Sequence, residues 1–343
     1  MAARALAVAF VATSFLVDTV VQGAVLHSKR WQTSIISLPQ SQISAFKPFT
    51  FFAGAAFCDP STTLTWTCGA DCDANAGFQP TASGGDGDKV QFCGHPFLDI
   101  LFPKCNIHSV SGYVGWDPAQ STVIVAHQGT DTSQILPVLT DGDILMTPLD
   151  TTLFPGISSS ISVHNGFGMA QAKAAPDMLA AVQKTISEHN AASVTVVGHS
   201  LGAAISLIDS VYLKLHLPSS VTITTILYGL PRVANFFSLP GHIVTDPMSL
   251  FKVGNQAFAD YIDANLHLTH INNKKDPVPI IPGRFFGYVH PAGEVHIMED
   301  NEWVSCPGQD NSSTECIVGA EPNLFDSDSS DHDGPYDGVE IGC

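Results

Sequence analysis

Three residues far apart in the chain have the types needed for nucleophilic acyl transfer. Ser200 sits at the centre of Gly198-His199-Ser200-Leu201-Gly202. A serine hydroxyl attacks a carbonyl only when a histidine takes its proton, and that histidine needs a carboxylate to hold its tautomer. Where a G-x-S-x-G turn joins a strand to a helix, the acid and then the histidine follow downstream. Of the downstream acids, Asp276 lies a few residues past the end of an expected strand, Leu266–Asn272, and Pro277 keeps it out of a helix. Asp260 and Asp263 lie in a helical-looking stretch and read as surface charges. The downstream histidines are His290, His296 and His332. His290 adjoins Pro291 in a turn, and His296 lies in the strand-like run Glu294–Met298. His332 sits in a polar loop, Ser330–Gly338, where it is free to reach a serine, and residue pattern favours it only slightly.

An attacked carbonyl also needs donors for its developing charge. The backbone N–H of Leu201, just past the serine, is one. Ser121–His127 reads as a buried strand running into Gln128-Gly129-Thr130-Asp131, a turn at a strand's carboxyl end, where open α/β sheets gather their sites. The N–H of Thr130, supported by its hydroxyl, is the second candidate donor.

The elements that must hold these groups follow from periodicity. Val194, Val196 and Val197 are β-branched and predict a buried strand before Ser200. From Ala203 on, Ile205, Ile208, Leu213 and Leu215 recur at helical spacing. A serine between such a strand and helix must occupy a tight turn, and its flanking glycines let the two elements approach. A helix is expected in Gln40–Phe57, short strands at Ser160–Val163 and Val221–Tyr228, and helices through about His189 and over Asn255–Asn265. Strands alternating with helices predict an α/β fold with a central, mostly parallel sheet and flanking helices. The stretch Asp131–Pro155, with Ile135, Leu136, Val138 and Leu139 among polar residues, reads as a flap or as an ordinary packed loop.

Charge is sparse and lopsided. Against 14 Lys and Arg stand 32 Asp and Glu, a net of −18, which argues against nucleic acid and anionic membrane surfaces as partners. Residues 1–24 have the form of a signal peptide: Arg4, then the apolar run Ala5–Val17, too short to span a bilayer, then Asp18 and small residues before a cleavage after Gly23 or Ala24. The expected product is a secreted single domain, residues 25–343, without a membrane span. Eight cysteines suit an oxidising compartment. Asn311-Ser312-Ser313 is a glycosylation sequon. The acidic run Asp326–Asp337 lacks the pattern of a calcium loop, and no metal or cofactor is expected.

Several motifs in register carry a resemblance. They are Ala126-His-Gln-Gly-Thr130, Val163-His-Asn-Gly-Phe167, Val197-Gly-His-Ser-Leu-Gly202, Tyr228-Gly-Leu-Pro-Arg-Val233, Asn272-Asn-Lys-Lys-Asp-Pro-Val278 and Asp331-His-Asp-Gly-Pro-Tyr336. In this order the chain resembles secreted fungal class 3 lipases, basidiomycete members above all, from about Ser41 to Cys343. The resemblance implies the α/β-hydrolase fold, with Ser200 as nucleophile, Asp276 as orienting acid and His332 as base. It also implies Thr130 and Leu201 as the oxyanion hole, a lid after Thr130 that would contain Ile135, Leu136, Val138 and Leu139, and disulfides Cys58–Cys343, Cys68–Cys72 and Cys306–Cys316. The expected activity is that of a monomeric serine esterase on neutral lipids at an oil–water surface, foremost a triacylglycerol lipase. A feruloyl esterase of the same fold is the nearest alternative, and an apolar flap favours oil over a soluble aromatic ester. An inactive secreted binding protein is the alternative of another class.

Two segments depart from the family pattern. Cys93–Gly112 parts Val90-Gln-Phe92 from Tyr113-Val-Gly115, and about 20 residues, Val233–Lys252, part Pro231-Arg-Val from Gly254-Asn-Gln-Ala-Phe258. Both read as unspliced introns translated in frame. A valine codon can open with GT and a lysine codon end in AG, and removal of the first segment could leave the single Trp codon that the family places there. Were both segments real, Cys93 and Cys105 would be expected to pair.

Overall fold

The computed structural model describes residues 34–85, 90–91, 107–108, 111–130, 146–232, 255–281, 283–284 and 288–343. Residues 1–24, expected to be a signal peptide, the candidate lid residues Ile135, Leu136, Val138 and Leu139, the segment 233–252 and most of 93–112, Cys93 and Cys105 included, lie outside these residues.

Thirteen strands are named in chain order among the described residues. They are β1 (Ile36–Ser37), β2 (Gln79–Gly85), β3 (Val90–Gln91), β4 (Ile107–His108), β5 (Ser111–Asp117), β6 (Thr122–His127), β7 (Met146–Pro148), β8 (Ser162–His164), β9 (Ser193–His199), β10 (Thr222–Tyr228), β11 (His267–Asn273), β12 (Glu294–Ile297) and β13 (Trp303–Cys306). Nine of them form the main sheet in the order β1-β13-β12-β11-β10-β9-β6-β5-β2. The five strands from β12 to β6 run parallel, and antiparallel pairs close both flanks. This is the expected mostly parallel sheet, and its central strands are buried on both faces, as parallel strands must be. β6 is buried at every position.

Alternation along these strands divides the core. Val123, Val125, Val194 and Val196 face the long helix Asn165–His189 and the helix Leu201–His216. Ile124, Ala126 and Val197 face the other way, onto Phe52 of the helix Gln40–Ala55 and onto Tyr228. The helix Leu201–His216 is buried at every residue from Leu201 to Leu213. It begins at Leu201, two residues before the apolar periodicity becomes visible, because the glycine-flanked turn hands the chain directly to it. The stretch Met146–Pro155 is not part of a flap: β7 pairs with β8, and Leu149 and Phe154 enter the core. Three disulfides link Cys58 to Cys343, Cys68 to Cys72 and Cys306 to Cys316. Among the described residues no helix is long and apolar enough to cross a membrane.

Candidate active site

Ser200 occupies the turn between β9 and the helix Leu201–His216, with φ 59° and ψ −128°. This is a conformation that a residue bearing a Cβ adopts only when its surroundings impose it. The surroundings are tight. A Cβ on Gly198 would lie 2.5 Å from the carbonyl oxygen of Gly202, and one on Gly202 would lie 2.3 Å from that of His127. The N–H of Ser200 donates to the carbonyl of Tyr228 at 3.0 Å, which ties the turn to the end of β10.

His332 and Asp276 meet as expected. Nδ1 of His332 donates to Oδ2 of Asp276 at 2.8 Å, while Oδ1 of the same carboxylate accepts the N–H of Val278 at 2.8 Å. Both side chains are buried, although His332 comes from an acidic loop that looks solvated in the sequence. Its loop is clamped from several sides. Nδ2 of Asn273 donates to the carbonyls of Asp331 and Gly334 at 2.9 and 2.8 Å. The hydroxyl of Tyr336 and Nε2 of His199 donate to the His332 carbonyl at 3.0 and 2.9 Å. The rings of His199 and His332 lie 4.3 Å apart, so the histidine that precedes Ser200 packs directly on His332. Burial, and then the neighbouring His332, hold His199 well below its ordinary pKa, so it stays neutral as a donor.

Gly129 closes the site on the other side, where a Cβ would lie 2.6 Å from the His199 carbonyl and 3.1 Å from Cβ of Ser200. Thr130 therefore follows directly on a residue that touches the serine. Oγ1 of Thr130 and Nε2 of His332 are both buried and find no hydrogen-bond partner among the described residues. A buried polar atom left open on each of these residues is the condition expected where a reacting group is to be received. Leu201 begins the helix, so its N–H belongs to the unsatisfied first turn.

The rival histidines are occupied elsewhere. Nε2 of His290 lies 2.7 Å from the carbonyl of Pro279, and both ring nitrogens of His296 lie near backbone carbonyls, at 2.8 and 3.0 Å. Asp260 is exposed and shares Gln309 with Asp263. Asn311 is half-buried, its side chain bonded to the N–H of Ser313 and the carbonyl of Pro307.

Reasoning from sequence passed over Gly229. Its φ is +51°, and a Cβ there would meet Cε1 of His332 at 2.7 Å and Oδ2 of Asp276 at 3.0 Å. The available signal was a glycine one residue past a β-branched strand, in line with the serine turn. His199 and Asn273 were also missed. His199 occupies a variable position of the serine motif, and an asparagine at a strand end is ordinary turn chemistry.

Comparisons with known proteins bear on relatedness and on the fold. The family pattern described as lipase (class 3) matches residues 124–237. A secreted mono- and diacylglycerol lipase of Malassezia globosa is 34% identical over 225 residues, which make up 64% of this chain and 66% of that one. A second protein of the same description and organism is 30% identical over 224 residues, 64% of this chain and 65% of the other. The matched stretch thus spans just under two thirds of these relatives' length. Among solved structures, lipase II from Rhizopus niveus superposes with a TM-score of 0.67 at 21% identity, covering 90% of this chain and 99% of that one. A likeness at that identity speaks to the fold, which is the α/β-hydrolase fold.

Proposed function

We propose that the chain is a class 3 lipase, a secreted serine esterase that hydrolyses neutral acylglycerols. The observation that carries this reading is the buried His332–Asp276 pair packed against the residue that precedes Ser200. In the reaction, Oγ of Ser200 attacks the ester carbonyl carbon while Nε2 of His332 takes its proton. Asp276 holds Nδ1–H of that ring and stabilises the imidazolium. The carbonyl electron pair moves onto oxygen, where the N–H groups of Leu201 and Thr130 receive it, with the Thr130 hydroxyl in support. Collapse expels the glycerol oxygen, which takes the proton from His332, and leaves an acyl-Ser200 ester. Water, deprotonated by the same histidine, attacks that ester and releases the fatty acid.

Triacylglycerols are the proposed main substrate. The supporting feature is the apolar set Ile135, Leu136, Val138 and Leu139, which begins five residues after Thr130 and suits an oil surface. Partial glycerides are the second reading, favoured by the printed descriptions of the Malassezia relatives. Secretion is supported by residues 1–24, by the three disulfides and by those same descriptions. A hydrolysis panel of tri-, di- and monoacylglycerols, a phospholipid and methyl ferulate tests the proposal. Release of fatty acid from acylglycerols, with little from the phospholipid or ferulate, is the expected outcome. Methyl ferulate as the best substrate would overturn it.

A further inference from the structure

Asp209 lies in the middle of the buried helix that starts beside Ser200, and it is fully buried. A carboxylate taken out of water is costly unless it is paired and hydrogen-bonded. It has two partners. Nε2 of Gln171, on the long helix Asn165–His189, donates to its Oδ1 at 2.8 Å, while Nε2 of His127 lies 2.5 Å from its Oδ2 in a close polar contact without hydrogen-bond alignment. His127 and Gln171 are also buried. None of the three takes part in the chemistry above.

The place of His127 in the fold gives this network a use. His127 ends β6, with its backbone in register opposite Gly198 on one side and Gly112 on the other. The chain then runs through Gln128 and Gly129 to Thr130. The carbonyls of His127 and Gln128 press on Gly202, where a Cβ would come within 2.3 and 2.7 Å of their oxygens. The two candidate oxyanion donors therefore stand on separate elements. Leu201 opens the helix that carries Asp209, and Thr130 follows the strand that carries His127. The contact between Asp209 and His127 joins those two elements side chain to side chain.

We propose that Asp209 is a positioning residue that, through His127, fixes the spacing between the Thr130 and Leu201 donors. The inference rests on the reading of Ser200 as the nucleophile. An oxyanion hole works only when its donors are preorganised at the place where charge develops. A buried carboxylate–imidazole contact is a poor device for stability, because apolar residues of the same volume often stabilise as well or better. It does hold two elements at one separation, however, and a fixed separation is what two donors on different elements require.

Steady-state hydrolysis of p-nitrophenyl butyrate by the secreted protein tests this, with rates normalised to active sites counted by a phosphonate. Asp209→Leu keeps the volume but removes the acceptor of Gln171 and the polar contact of His127. Its kcat is expected to fall about 100-fold with KM within about threefold of the parent, as for a misplaced oxyanion donor. Asp209→Asn can accept from His127 and, after an amide flip of Gln171, donate to Gln171 Oε1, so its kcat should stay within about fivefold. Gln171→Met, a milder change, should lower kcat about fivefold at unchanged KM, and it serves if Asp209→Leu is not secreted. Full kcat per active site in Asp209→Leu or in Gln171→Met overturns the inference. So does an Asp209→Asn as impaired as the leucine variant, or a loss carried by KM. A parent protein with no turnover on any ester would instead overturn the esterase reading.

Discussion

The imidazole of His199 lies against that of His332, with ring centres 4.3 Å apart, and donates through Nε2 to the backbone carbonyl of His332 at 2.9 Å. One side chain thus sets both the ring plane and the main-chain position of the proposed base. His199→Phe keeps an aromatic face and removes the donor. The expected loss is about tenfold in kcat, the equivalent of one neutral hydrogen bond, with KM unchanged. Steady-state kinetics on a soluble ester checks this, and an unchanged kcat would mean that stacking alone holds the ring.

Gly229 faces the same pair from the strand side. A methyl group there would sit within 3.0 Å of Cε1 and Nδ1 of His332 and of Oδ2 of Asp276, at a φ of +51° that disfavours any Cβ. Gly229→Ala should therefore lower activity by more than tenfold, and its backbone strain should cost about 1–2 kcal/mol of stability. Activity and a thermal melt measured on the same preparation separate the two effects.

Stability should fall in mild acid because of two histidines outside the active site. His270 and His290 stack 5.0 Å apart and are fully buried. Burial first pushes each down to about 3, followed by His290 acting on His270 and Arg232 acting on His290. Their pKa in the folded protein lies below the unfolded value of 6.5, so the unfolded chain takes up protons first as pH falls. The stability they allow is complete above pH 6.5 and is lost progressively toward pH 3. Between 6.5 and 5 each accounts for a loss of about 2 kcal/mol. Glu294 opposes this trend. Burial raises it to about 7, so its contribution is lost as pH rises from 4.5. Denaturant unfolding at pH 7 and pH 5 should show a smaller loss in His270→Gln/His290→Gln than in the parent. An equal loss would assign acid sensitivity to other groups.

The register of the β2–β5 pair bears on the first extra segment. Gly84 stands opposite Gly112 and Gly85 opposite Ser111, while Val90 and Gln91 pair instead with His108 and Ile107. In a chain lacking Cys93–Gly112, with one Trp at the junction, the same register sets Trp opposite Gly84 and Phe92 opposite Gly85. Gln91 then faces Asp86 and Val90 faces Gly87, leaving Asp88-Lys89 as a hairpin loop of two residues. That is the commonest hairpin length. We expect the secreted protein to lack this segment and roughly Val233–Lys252, and so to be about 40 residues shorter than residues 25–343, with six cysteines left. The intact mass after deglycosylation decides the matter, and a mass that includes both segments would show that they are real.

Much of the site was legible because its determinants are local. The valines of β9, the glycines around Ser200 and the proline after Asp276 act on their immediate neighbours, and each predicted the local structure found there. What stayed hidden depends on distant parts of the chain. His332 reads as solvated among aspartates, yet Asn273, Tyr336 and His199 bury and clamp it. Asp209 looks like an ordinary polar residue of a helix, and only the fold brings it to His127 and Gln171. A glycine's positive φ beside another residue's ring cannot be read from spacing at all.

The central claim is that Ser200, activated by His332, is the nucleophile. A p-nitrophenyl alkylphosphonate followed by peptide mass mapping tests it most directly. The account predicts one phosphonyl group per chain, on the peptide carrying Ser200. Labelling should be absent in Ser200→Ala and slowed by about four orders of magnitude in His332→Ala, while His290→Ala and His296→Ala label at near-parental rates. Modification at another residue, or labelling of His332→Ala as fast as the parent while His296→Ala is inert, would contradict it.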